Sequence, residues 1–298
     1  MKNRMLGNYQ KDHLFWGYLF ILPTAVGLIL LNIWPAIQTI ILSFQRTIGF
    51  GNTEWIGLAN YQKLLTDREV LQSLINTLIY AVVSIPSIIV LSLLVAVLMN
   101  KKIKGVSIYR TIYFLPVVAA PSAVAMIWRW MFNDDYGLVN ELLSKVGLTG
   151  PAWLSDPNVA IYSVIIVGIW SAIGYNMVLF LAGLQEIPKD YYEAADIDGA
   201  SSWQQFFQIT LPLVTPTLFF VVVTTVINAF QVFDVIFMMI APSSEAMLKT
   251  QSLAYLFYKH SFILNDKGYG SAIVVFLLGI ILLIAALQMK LQKKWVNY

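Results

Sequence analysis

Thr224, Asn228 and Gln231 stand four and three residues apart in an apolar run, a spacing that places all three on one face of a helix. Asp234 extends the same face by a further three residues. A second apolar run contributes Trp170, Ser171, Tyr175 and Asn176. Hydroxyls and amides donate and accept hydrogen bonds, and aromatic faces stack on the axial hydrogens of a sugar ring, so this set suits a neutral sugar. The same groups also join helices inside a bilayer, at about 0.6–2 kcal/mol each, and the sequence leaves that reading open beside the first. Bond-breaking machinery is harder to assemble. The chain has no cysteine, which removes thiolate nucleophiles, thiolate metal sites and disulfides. Its two histidines, His13 and His260, are far apart and have no ligand spacing around them. A GxxxxGK[ST] phosphate loop is absent, so the chain does not bind and hydrolyse ATP in the usual way.

A different chemistry is concentrated between Tyr191 and Pro212, YYEAADIDGASSWQQFFQITLP. Glu193, Asp196 and Asp198 alternate with Ala194, Ala195 and Ile197, and Phe206 and Phe207 follow. Carboxylates interleaved with small and aromatic residues describe an amphipathic knob that another surface grips. Glu193 is the residue placed for a charge-assisted hydrogen bond to a basic partner. Pro188 suits the first turn of a helix, where its missing N–H is no loss. Gly199 suits a tight reversal that a residue with Cβ resists. Ser201 and Ser202 can cap a second helix, expected over Trp203–Ile209.

Both features require a membrane around them. The 298 residues are 58% hydrophobic and 12% charged, against roughly 25% charged in soluble domains. A spanning helix needs about 20 apolar residues, and the charge-free stretches predict six: 15–43, 76–99, 108–131, 159–184, 212–240 and 270–287. The expected architecture is therefore all-α, one membrane domain over 1–298, with a polar loop at 185–211 carrying the helix pair. No loop is long enough for a soluble domain of about 50 residues. Trp55–Tyr61 is expected to open a short interfacial helix and Leu138–Val146 to form another. Pro23, Pro35, Pro86, Pro116, Pro121, Pro212 and Pro216 lie in or at the ends of spans, and each is expected to kink its helix. Lys2, Arg4 and Lys11 precede the first span, and Lys101, Lys102, Lys104 and Arg110 separate the second from the third. Lys290, Lys293 and Lys294 follow the last. The positive-inside rule then puts both termini in the cytoplasm, and alternation of spans puts the knob there too. The first span reads as a retained anchor, because it lacks a small-residue cleavage pattern. The net charge of +3 sits at membrane flanks and implies no nucleic-acid partner.

Glu193-Ala194-Ala195, three residues, Gly199, nine residues and then Ile209-Thr210-Leu211-Pro212 resemble the EAA motif of bacterial binding-protein-dependent ABC importer permeases. Phe20–Pro23, Trp55–Tyr61, Tyr113–Pro116, Trp153–Pro157 and Gly268–Ala272 extend the resemblance over roughly the whole chain. They point to the carbohydrate branch, and within it to the maltose/glycerol-phosphate-type first permease. Two features depart from that pattern. Met239–Ser244 stands where the branch often has Thr-x-Gly-Gly-Pro, and the large external domain of the enteric maltose permease is missing.

The resemblance implies that the knob is a coupling helix pair docked in a cleft of a separate cytosolic ATPase. Glu193, Ala194, Ala195, Asp198 and Gly199 would then be the coupling residues. It further implies a second related permease, two ATPase subunits that hold the ATP and Mg, an extracytoplasmic solute-binding protein, and no cofactor in this chain. Alignment by motif puts sugar contacts at Ser171, Tyr175, Thr224, Asn228 and Gln231. Asn176 belongs to the same pathway, and Asp234 either lines it or pairs with a cation of the second permease. The expected function is import of a di- or oligosaccharide across the bacterial cell membrane. Glycerol 3-phosphate is the alternative substrate, although the spans hold no Arg or Lys pair near the midplane for a phosphate. An ion-coupled secondary transporter would show repeats and midplane carboxylates, and only Asp234 fits. A purely structural membrane protein leaves the polar face of the fifth span unexplained.

Overall fold

The structure, a computed structural model, describes residues 16–49, 52–101 and 104–293. Lys2, Arg4, Lys11, His13, Lys102 and Lys294 lie outside the described residues, as does the start of the first predicted span. The elements run α1 (Trp16–Leu42), β1 (Gln45–Gly49), β2 (Asn52–Trp55), α2 (Ala59–Thr66), α3 (Arg68–Asn100), α4 (Val106–Val118) and α5 (Pro121–Met131). They continue with α6 (Leu138–Lys145), α7 (Ala160–Gln185), α8 (Asp190–Ile197), α9 (Ser202–Leu213) and α10 (Thr215–Phe230). The last are α11 (Asp234–Met239), α12 (Glu245–Leu248), α13 (Leu253–Tyr258) and α14 (Lys267–Gln292).

Helices α1, α3, α7 and α14 are each long and apolar enough to cross a membrane. The 33 residues of α3 extend for about 50 Å at 1.5 Å per residue, beyond a hydrocarbon core of about 30 Å. The remaining two predicted spans are not straight helices. The third bends by 101° between α4 and α5. Ala119 and Ala120 are extended there (ψ 143° and 133°), as a residue preceding Pro121 prefers. The fifth begins earlier than expected, in α9, and bends by 67° into α10. Pro216 cannot donate to the Pro212 carbonyl, and the Thr215 hydroxyl does so instead at 2.7 Å. Other prolines leave their helix whole, and α3 runs straight through Pro86 as one element.

A second correction concerns the end of that span. Helix α10 stops at Phe230; Gln231–Phe233 is non-helical and Asp234 opens a new helix. Asp234 therefore does not continue the Thr224–Asn228–Gln231 helical face. The cause is tertiary. Ser252 Oγ donates to the freed Val232 carbonyl and also accepts from Tyr255 N–H, so one hydroxyl satisfies both the break and the start of α13.

The all-α expectation holds apart from a small antiparallel hairpin, β1 with β2, which pairs Gln45 with Trp55 and Thr47 with Thr53. Trp55 thus closes a strand and stacks on Phe44, 5.6 Å between rings, while the helix expected there starts at Ala59. Asn60 fixes the hairpin by donating to the Ser43 and Gln45 carbonyls, each at 2.9 Å.

The centre of the molecule is the packing of α3 on α7. Ser73, Thr77, Ala81, Ser84 and Ser92 of α3 are buried, as are Ser163, Gly168 and Gly174 of α7. Small residues let two backbones approach where lipid removes the usual hydrophobic drive. A Cβ at Gly168 would collide with the Tyr80 hydroxyl. At one end, a polar network ties α3 to distant chain. Asn76 donates to the carbonyls of Leu248 and Gln251 at 3.1 and 3.0 Å, Glu69 meets Lys259, and the Tyr269 hydroxyl donates to Asp67 at 2.7 Å. Helix α1 differs from the straight spans α3, α7 and α14. Phe20, Leu31 and most of its other large apolar side chains are exposed, as expected of a surface that faces lipid or another protein.

Candidate functional site

A cavity of about 410 Å³ opens where α3, α7, α10 and the break before α11 converge. Gly168, the pair Ser171 and Ala172, and Asn176, spaced at three to five residues along α7, form one wall. Thr225, Asn228 and Ala229 of α10 form the second, and Gln231–Val235 closes the end. Tyr80 and Ile88 of α3 complete the lining. Asn176 donates its amide to the Ala172 carbonyl within its own helix at 3.0 Å, which leaves its side-chain oxygen to accept. Thr225 is 4% exposed, and its hydroxyl has no partner among the described residues. A buried orphan of that kind calls for a polar occupant.

Ser171, Asn176, Asn228, Gln231 and Asp234 are brought together in this lining. Tyr175 and Thr224 are not part of it. Tyr175 is exposed on another face of α7, and Thr224 turns back to the Phe220 and Val221 carbonyls at 3.0 and 3.2 Å. Trp170 instead packs edge-on against Trp128 of α5. Sequence reasoning missed Tyr80 and Gly168, and it counted Thr225 among the polar residues of the fifth span without placing it on the Thr224–Asn228–Gln231 face. Thr225 was within reach, since it too lies three residues before Asn228. A larger cavity of about 540 Å³ lies between α1, α13 and α14, is mostly apolar, and shares Gln231 and Phe233 with the polar one. The broken segment is thus the partition between them.

The knob is a separate construction. Helix α8 carries Asp190 and Glu193 in its first turn, where carboxylates complement the helix dipole. It ends on Gly199, whose φ of +75° is a left-handed value that glycine adopts freely. Ala200 N–H reaches the Ala195 carbonyl at 2.9 Å and Gly199 N–H the Asp196 carbonyl at 3.1 Å, the paired bonds of a Schellman cap. Ser201 and Gln204 then form a reciprocal capping box that starts α9. This second helix is longer than expected. It runs from Ser202 to Leu213 through a widened turn at Phe206–Thr210, not from Trp203 to Ile209. Gln205 bonds Asp196 at 2.6 Å and Tyr192 bonds Thr210 at 2.9 Å, which locks the two helices together. Glu193, Ala194, Asp198 and Gly199 stay exposed, and Ala195 is half-buried. Ile197 at 87% and Trp203 at 73% exposure add an apolar rim, with Trp203 stacked on Phe207.

Residues 64–297 match the family of binding-protein-dependent transport system inner membrane components. The trehalose/maltose transport system permease protein MalF of Thermococcus litoralis is 33% identical over 295 residues, 98% of this chain and 99% of that one. The sn-glycerol-3-phosphate transport system permease protein UgpA of Agrobacterium fabrum is 34% identical over 283 residues, 94% of this chain and 96% of that one. Among solved structures, a chain of a bacterial alginate ABC transporter, in complex with an alginate pentasaccharide-bound periplasmic protein, has the same fold. Its TM-score is 0.85 at 23% identity, with 98% of each chain covered.

Proposed function

Because the chain belongs to the binding-protein-dependent transport system inner membrane components, we propose that it is a permease subunit of an ABC importer for a neutral di- or oligosaccharide. A binding protein delivers the sugar to the complex, a second related permease completes the pathway, and two ATPase subunits supply the energy. ATP and its Mg reside on those ATPases, and this chain holds no cofactor. Both termini and the α8–α9 knob face the cytoplasm.

The observation that carries the reading is the knob. Its backbone is fixed by two caps and two side-chain bonds, while Glu193, Ile197, Asp198 and Trp203 remain exposed. A rigid acidic ridge with an apolar rim suits a cleft that bears a basic side chain. Through α9 the knob is continuous with the bent pair that ends at the polar cavity. Closure of the ATPase dimer around the knob therefore moves a cavity wall and shifts the bundle between inward- and outward-open states. In that cavity, Ser171, Asn176, Thr225, Asn228 and Gln231 offer hydroxyls and amides for a sugar.

The test is sugar uptake and sugar-stimulated ATP hydrolysis by the reconstituted complex. Glu193→Lys reverses the charge of a charged hydrogen bond, so coupled hydrolysis is expected to fall by about tenfold or more, with the chain still inserted. Wild-type uptake would remove the coupling role. Asn228→Leu should weaken uptake with the complex assembled, and unchanged uptake across a panel of sugars would remove the cavity from the pathway.

A further inference from the structure

Among the described residues the polar cavity carries a single charge. Asp234 lines it, and no Lys, Arg or His does. The Asp234 carboxylate forms no ion pair or hydrogen bond with any described residue. A cation does touch α11, but Arg129 meets the Met238 carbonyl, at the opposite end of that helix from Asp234, at 3.5 Å. The remaining polar lining, Tyr80, Ser171, Asn176, Thr225, Asn228 and Gln231, is neutral. An uncompensated carboxylate in a cleft with low-dielectric walls focuses negative potential into the space a solute would occupy.

We propose that Asp234 makes the cavity select against anionic solutes, so that neutral or cationic sugars enter and phosphorylated or uronate-bearing ones are repelled. This rests on the cavity being the solute pathway of the proposed function. Selection here comes from repulsion of the wrong solute as much as from attraction of the right one. The hydroxyl and amide groups would bind either kind of sugar, and Asp234 separates them. The effect belongs to the side-chain charge and not to local packing, because Asp234→Asn keeps the shape.

The natural absence of cysteine gives a test that does not require the substrate to be known. Asn228→Cys places one thiol of this chain in the cavity of the assembled complex. Its labelling rate is measured by mass spectrometry with a trimethylammonium and a sulfonate methanethiosulfonate reagent, each normalised to a free thiol. With Asp234 present, the cationic reagent should be favoured. In Asp234→Asn that preference should fall by about fivefold, the ratio expected for one unit charge at roughly 8 Å in water acting oppositely on the two reagents. No cationic preference with Asp234 present, or an unchanged ratio in Asp234→Asn, overturns the proposal alone, since labelling itself shows the cavity to be open. Failure of both reagents to reach the thiol introduced by Asn228→Cys, while both label a control Val146→Cys at an exposed position away from the cavity and the knob, overturns the pathway reading and the proposal with it.

Discussion

Thr224 and Thr225 are neighbours in sequence with opposite surroundings. The Thr224 hydroxyl is used up on carbonyls of its own helix, and the Thr225 hydroxyl is buried beside the cavity with no partner among the described residues. Thr225→Val removes the orphan at nearly constant shape, and an unpaired buried hydroxyl costs about 1–3 kcal/mol. The variant should therefore melt at an equal or higher temperature while sugar uptake drops by about tenfold, and Thr224→Val should change neither. Equal uptake in both variants would remove Thr225 from the site. The helical spacing ahead of Asn228 fits Thr224 and Thr225 almost equally, since three and four residues both return to one face. Which of the two faces the cavity is decided by how α10 rotates against α3 and α7, and that is a property of packing. Tyr80 was hidden for the same reason: nothing near it in sequence points to α10.

At the scale of elements, the knob and the broken fifth span differ in how visible they were. The knob is written in local chemistry. Gly199 and the Ser201–Gln204 box are short-range signals, and the structure places a left-handed turn and a cap at them, whereas Pro188 falls two residues before α8 and not in its first turn. Gly199→Val should strain the turn by about 1–2 kcal/mol, with no neighbour in the way of the added side chain. ATP hydrolysis should lose its dependence on sugar while the complex still assembles; retained coupling would show that the turn geometry is dispensable. The break at Gln231–Phe233 has no proline or glycine to announce it, because Ser252, some twenty residues later, satisfies it. Ser252→Ala removes that bond and the cap on α13 together. It should destabilise the solubilised complex by about 1–3 kcal/mol, read as a lower melting temperature.

Over the whole molecule, the apolar runs were legible because a bilayer imposes length and charge depletion on every span. Prolines announced kinks in the third and fifth spans but not their size, since 101° at α4–α5 and 67° at α9–α10 depend on what each half packs against. Long-range polar ties set the arrangement at the Asp67 end of α3. Burial alone would raise the Asp67 carboxyl. The Tyr269 hydroxyl, the Glu69 and Val70 N–H groups and nearby Lys63 outweigh it and hold the carboxyl below its ordinary 3.8. A depressed folded-state value stabilises above about pH 4 and ceases to do so as pH falls through it. Tyr269→Phe should therefore lower the melting temperature at pH 7, and the gap from wild type should narrow on acidification below pH 4. A gap independent of pH would assign the loss to packing.

One consequence of the break between α10 and α11 is mechanical. Helix α10 has 16 residues, about 24 Å, meets α9 at a 67° bend around Val214, and is tied at its far end through the Val232–Ser252 hydrogen bond. It is a short crank with one driven journal and one fixed bearing. If the knob is the coupling element proposed above, torque applied there would be delivered to Asn228 and Thr225 and arrested before α11. Spin-label distances should accordingly change between Gln204 and Asn228 during ATP binding and hold constant between Phe237 and Leu248. Movement of the second pair would show that the bearing slips.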